Sequence, residues 1–179
     1  MLRLVCCLLA CLATAQSAPP AKATPKAMAV NAFSFDIPLT LPGTPEEIFD
    51  AATGDVSGWW DHTFSPHPKS LILEPKAGGH FIEQFDDQGN GAQHAEVIYC
   101  DRPKTIRFTG PLGLSGTAVN LVCTYTFEAV GTDSTRMTLH ASAAGAFDEG
   151  ASDVVERVWQ HFLIERFKPY IESGKYKKQ

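Results

Sequence analysis

Between Ser152 and Ile171, apolar side chains return every three or four residues: Val154, Val155, Val158, Trp159, Phe162, Leu163, Phe167, Tyr170 and Ile171. Asp153, Glu156, Arg157, Gln160, Glu165 and Arg166 take much of the remaining space, so the segment predicts one long amphipathic helix. Ser152 or Asp148 is placed to cap its start, Pro169 weakens its last turn and Gly174 ends it. A stripe this apolar must be covered, and the rest of the chain has to supply the surface.

That surface reads as a sheet. Phe33, Phe35, Ile37, Leu39 and Leu41 alternate with Ser34, Asp36, Pro38 and Thr40, which predicts a half-buried strand, with Pro38 placing it at an edge or bulge. Six more strands are expected at Leu71–Glu74, His80–Asp86, Gln93–Tyr99, Thr105–Thr109, Val119–Glu128 and Thr135–Ala143. Turn-formers separate them, among them Gly78-Gly79, Asp87-Gln88-Gly89-Asn90-Gly91 and Asp101-Arg102-Pro103. Leu121, Cys123, Tyr125 and Phe127 share one face of their strand, and Met137, Leu139 and Ala141 share one face of the next. Each strand therefore offers one apolar side, as an antiparallel sheet with one covered face requires. The fold class is α+β: a curved seven-stranded antiparallel sheet around a long C-terminal helix. Two short helices are expected after the first strand. Thr44, Pro45 and Glu47 form a capping-box start for one, and Trp59-Trp60 lie on the other.

The N-terminus belongs to a different regime. Arg3 precedes a nearly unbroken apolar run from Leu4 to Ala15, and Ala13-Thr14-Ala15 supplies a small-x-small cleavage pattern. Residues 1–15 thus read as a secretory signal and the protein as exported, to a periplasm or beyond. Leu8-Leu9-Ala10-Cys11 also resembles a lipobox, and the alternative to a soluble protein is a lipid anchor at Cys11. Residues 16–31, rich in Pro, Ala and Lys, form a spacer; the folded domain spans 32–174, and 175–179 is a basic tail. Only Cys100 and Cys123 of the five cysteines fall in that domain. With another strand between them they are expected to stay as separate thiols.

Charge and motif exclude several functions. A net charge of -5 leaves no basic surface for nucleic acid beyond the solvated tail. No apolar run reaches the roughly 20 residues of a membrane-spanning helix. The six histidines are scattered over loops, strands and the last helix, without paired-His or Cys-x-x-Cys spacing, so no metal is expected. No cofactor fingerprint is present, and Gly113-Leu114-Ser115-Gly116 lacks the elbow of a serine hydrolase.

The order of short motifs carries a family resemblance. After the first strand come Pro45-Glu46-Glu47-Ile48-Phe49, Trp59-Trp60, Pro75-x-x-Gly78-Gly79-x-Phe81, Asp101-Arg102-Pro103-x-x-Ile106, Gly131-Thr132-x-x-Thr135 and the final helix. This order, over about residues 33–172, resembles the START-like superfamily, also called SRPBCC, and within it the bacterial relatives of the AHSA-type heat-shock ATPase activators. The resemblance implies a helix-grip fold with a cavity between sheet and helix, holding lipids, sterols, polyketides or other hydrophobic molecules. A minority of such proteins are cyclases or hydrolases. Two departures stand out: Ala95 where relatives commonly carry Gly, and a Gly-rich insert, Gly110 to Gly116, expected as a mobile loop beside the cavity.

Phe81, Phe85, Phe108, Tyr125, Trp159 and Phe162 should converge between sheet and helix, as core, as pocket lining or as both. Trp59 and Trp60 are expected at the pocket mouth with the loop histidines. Glu83 shares strand parity with Phe81 and Phe85; if they face inward so does it, with His94 and Glu96 as candidate partners. On parity alone, Glu83→Gln should spare folding and alter only ligand binding. A binding protein for a small hydrophobic molecule is the first expectation. The alternative is a cyclase- or hydrolase-type enzyme using Glu83 and His94. A third, chaperone association, conflicts with the secretory signal.

Overall fold

The computed structural model describes residues 24–178. The expected signal segment, the lipid-anchor alternative at Cys11, the first residues of the expected spacer and Gln179 lie outside the described residues. Eight strands form one antiparallel sheet: β1 (Asn31–Pro42), β2 (Gly54–Asp55), β3 (Ser70–Leu73), β4 (His80–Gln84), β5 (Gly91–Asp101), β6 (Thr105–Gly110), β7 (Val119–Val130) and β8 (Ser134–Gly145). Their spatial order is β1-β8-β7-β6-β5-β4-β3-β2. The seven expected strands are present; the eighth is the two-residue β2, which pairs Gly54 with Leu73 and Asp55 with Ile72. Two residues are too short to show a periodicity. Pro38 sits on β1, an edge of the sheet, where its missing N–H breaks no ladder bond on the open side.

Helix α1 (Pro45–Ala52) starts on a complete capping box: Thr44 Oγ1 accepts from Glu47 N, and Glu47 Oε2 accepts from Thr44 N. The expected second short helix is a single turn, in which the N–H groups of Trp59 and Trp60 both donate to the Val56 carbonyl. The C-terminal helix runs continuously from 151 to 172 in three stretches: α2 (Ala151–Gln160), a π-helical segment (His161–Phe167) and α3 (Lys168–Glu172). Its N-cap is Gly150 in the left-handed region, with no side-chain cap; the Ser152 hydroxyl turns to Asp153 instead. The π segment ends two residues before Pro169, which has no N–H to continue the ladder.

The core lies between sheet and helix. Trp159 packs against Phe108 of β6 and Tyr125 of β7, with ring centroids 6.5 and 6.3 Å away. Phe167 meets Trp59 at 4.8 Å, and Tyr170 and Ile171 are buried. Cys100 on β5 and Cys123 on β7 are free thiols with β6 between them; burial pushes the Cys123 thiol far up. Among the described residues no helix is long and apolar enough to cross a membrane.

One irregularity decides what the site looks like. In the β4–β5 pairing, Phe81 faces Ala95 and Ile82 faces Gln93, so His94 is the extra residue of a β-bulge. Strand alternation slips there by one. His94 and Ala95 are both buried, Val97 follows inward, and Glu96 is turned out to solvent. Gly110 of β6 backs the bulge: a Cβ at that position would sit 2.5 Å from the His94 carbonyl.

Candidate functional site

A cavity of about 200 Å³ lies at the α2 end of the core. Helix α2 contributes Val154, Val155, Val158 and Trp159, and the π segment contributes Phe162. The opposite wall is Leu121 of β7 and the 111–114 loop, which includes a short 3-10 turn at Leu112–Leu114. Trp60, His62 and His94 close the remaining side. Leu112 is held at φ 50° and is nonetheless buried. A non-glycine residue in that region is strained, and here the conformation carries its side chain into the cavity wall.

Of the residues singled out in the sequence, Trp60, His94, Trp159 and Phe162 line the cavity. Trp60 is the hub: its ring stacks on Phe162 at 3.9 Å and meets Phe81 edge-on at 4.9 Å, and its Nε1–H donates to the His62 carbonyl. Trp59, Phe81, Phe108 and Tyr125 form a buried layer behind that wall. Phe85 lies past the end of β4, half-buried in the turn where its N–H donates to Asn90. Glu96 is exposed, for the reason the bulge gives. Leu112, Leu114, Leu121 and Val154 line the cavity without having been singled out. Two leucines inside a glycine-rich loop, and a valine at the head of the helical stripe, were the available signal.

Glu83 is completely buried and is met by three donors. The Phe64 N–H lies 2.9 Å from Oε2, the Ser65 N–H 2.7 Å from Oε1, and His94 Nε2 3.0 Å from Oε2. A buried carboxylate is tolerable only when its oxygens are paired in this way. The His94 ring lies between Phe64 and Phe81, at 5.4 and 4.9 Å. The pair thus pins the 61–67 loop to the sheet and sets a histidine on the cavity wall.

A second clasp holds the other end of the loop to the helix. Asp61 accepts from His62 Nδ1, from His161 Nε2 at 3.0 Å and from Arg166 Nε at 3.1 Å, while His161 Nδ1 reaches Glu165 at 2.8 Å. Asp61, His62 and His161 bring potential metal-ligand atoms within 4.8 Å of one another. Arg166 and the histidines already occupy those oxygens, so the geometry is that of an ion-pair network. Hydrogen bonds donated to Glu165 and Asp61 raise the His161 pKa. For Asp61, partial burial pushes upward, but the hydrogen bonds from His62 and His161 and the nearby positive charges bring the net shift down. A raised His pKa stabilises the fold fully below its unfolded value of about 6.5 and less as pH climbs through the folded value; a lowered Asp pKa stabilises above about 4 and less as pH falls. The clasp is therefore strongest between about pH 4 and 6.5. His161→Gln should flatten the stability profile over pH 6 to 8, seen by urea melts; a profile unchanged by the substitution would exclude this account.

Residues 42–172 match the model of a family described as Activator of Hsp90 ATPase homolog 1-like protein. Solved structures align over most of the chain. The Mll3558 protein of Rhizobium loti is 20% identical with a TM-score of 0.59, covering 79% of this chain and 99% of its own. The SA2116 protein of Staphylococcus aureus is 14% identical with a TM-score of 0.61, covering 82% and 97%. CalU16 of Micromonospora echinospora is 19% identical with a TM-score of 0.55, covering 81% and 83%. At such identities these likenesses speak to the fold alone. No curated protein matches the sequence.

Proposed function

The chain belongs to the Activator of Hsp90 ATPase homolog 1-like family, and from that membership and the cavity under α2 we propose that it binds a small apolar molecule between sheet and helix. The observation that carries this is the character of the wall. Apart from His62 and His94, every lining residue is aliphatic, aromatic, proline or glycine, the composition of a site that takes hydrophobic guests. The volume of about 200 Å³ favours a molecule of one ring over a sterol or an extended polyketide. A dry cavity of about 150 Å³ holds benzene, whereas drug-sized ligands need about 300 Å³ or more. Toluene near saturation should raise the melting temperature by about 3 °C or more. No shift and no heat of binding would remove the proposal.

A second reading, a cyclase- or hydrolase-type enzyme, draws on the buried Glu83–His94 pair, an arrangement in which a carboxylate orients an imidazole. The two separate on a His94 variant: a binder loses some affinity, an enzyme loses turnover by orders of magnitude. We place the protein outside the cytoplasm on the strength of residues 1–15, with lipidation at Cys11 as the alternative. Intact mass of the fractionated protein tests this, and a chain retaining Met1 in the cytoplasm would overturn it.

A further inference from the structure

The bulge in β5 leaves one buried hydrogen-bonding atom without a partner, on a residue of a wall that is apolar but for two histidines. His94 is 1% exposed, and its Nδ1 is buried with no hydrogen-bond partner. The other nitrogen is committed. Both oxygens of Glu83 accept backbone N–H groups, at 2.9 and 2.7 Å, so the carboxyl acts as acceptor and His94 Nε2 donates to it. In the neutral ring Nδ1 is then an acceptor with nothing to accept. The ring lies against those of Phe64 and Phe81. Buried polar atoms are nearly always paired, and a missing partner on a cavity wall is a pointer to what the cavity holds.

We propose, building on the binding of a small apolar molecule set out above, that the occupant is a neutral single-ring hydroxyl compound of the phenol class, whose O–H donates to His94 Nδ1. The chemistry is narrowed from three sides. An ammonium group would need a free carboxylate, and Glu83 is already met by three donors. An anion would need a cation, and neither Lys nor Arg lines the cavity. The ring itself is sized by the volume of about 200 Å³ and packs against Trp159, Phe162 and Leu112. Glu83 fixes the tautomer that makes Nδ1 the acceptor, and the bulge, braced by Gly110, turns the His94 side chain inward, where it lines the cavity.

Toluene and phenol test this, because they match in shape and differ in one donor. In a pocket without an acceptor, burying the hydroxyl unpaired makes toluene the tighter ligand by about tenfold or more. Here calorimetry should find phenol binding at least as tightly as toluene. His94→Phe, which keeps a flat ring between Phe64 and Phe81, should restore the preference for toluene. Should that variant fail to fold, nitrogen-15 spectra of the unaltered protein decide: phenol should shift the His94 Nδ1 resonance as a hydrogen bond forms, and toluene should leave it in place. Toluene binding tenfold tighter than phenol overturns this assignment and leaves apolar binding standing. If neither molecule binds, both proposals fall.

Discussion

Replacing Glu83 with Gln should lower the stability of the domain by about 3 kcal/mol and loosen the 61–67 loop. The site offers three donors and no acceptor: the N–H groups of Phe64 and Ser65 and His94 Nε2. A glutamine must bring its own donors into that ring. Its oxygen can replace Oε2 and keep Phe64 and His94, but its amide then faces the Ser65 N–H at what was a 2.7 Å contact. The conflict is fully buried, so no water relieves it. Strand parity alone gave no sign of this, since the two backbone N–H groups come from a loop 18 and 19 residues away. Urea unfolding measures the loss, and hydrogen exchange at Phe64 and Ser65 measures the loop. A change under about 1 kcal/mol would mean that the carboxyl is not what fastens the loop.

Trp60→Ala should cost about 4 kcal/mol and turn the pocket into one for two fused rings. The indole is almost wholly buried and joins sheet, loop and helix: it meets Phe162 in a stack, Phe81 and Trp159 edge-on, and the His62 carbonyl through Nε1. Its neighbours are held by both sheet and helix, so the space left cannot fully collapse, and it joins the existing cavity. Naphthalene should therefore recover part of the lost stability in the variant while leaving the unsubstituted protein's melting temperature unchanged. If naphthalene acts on neither, Trp60 does not set the size limit of the cavity.

The sequence carried the large elements because each shows many turns of one period. The apolar stripe from Val154 to Ile171 and the alternation of Leu121, Cys123, Tyr125 and Phe127 leave little choice of partner face. Family membership, implied by motif order, agrees with the match over residues 42–172. The site was less legible, for a local reason. A bulge is an insertion of one residue, and Gln93-His94-Ala95-Glu96 reads equally well in either phase, because alanine suits both faces. Glu96 was placed beside Glu83 by that ambiguity, and Phe85 by the assumption that β4 ran past Gln84. Leu112 depends on a backbone angle that no residue pattern announces.

The π segment divides the last helix into two stretches. Its last residue, Phe167, and Tyr170 and Ile171 beyond it are locked into the core. The residues before the segment begin on an uncapped turn at Gly150, present Val154 half to solvent and form one side of the cavity. Trp159 seats the end of that stretch against Phe108 and Tyr125, and no residue from 151 to 158 is fully buried, so the first two turns are the part of the wall that costs least to displace when a guest enters.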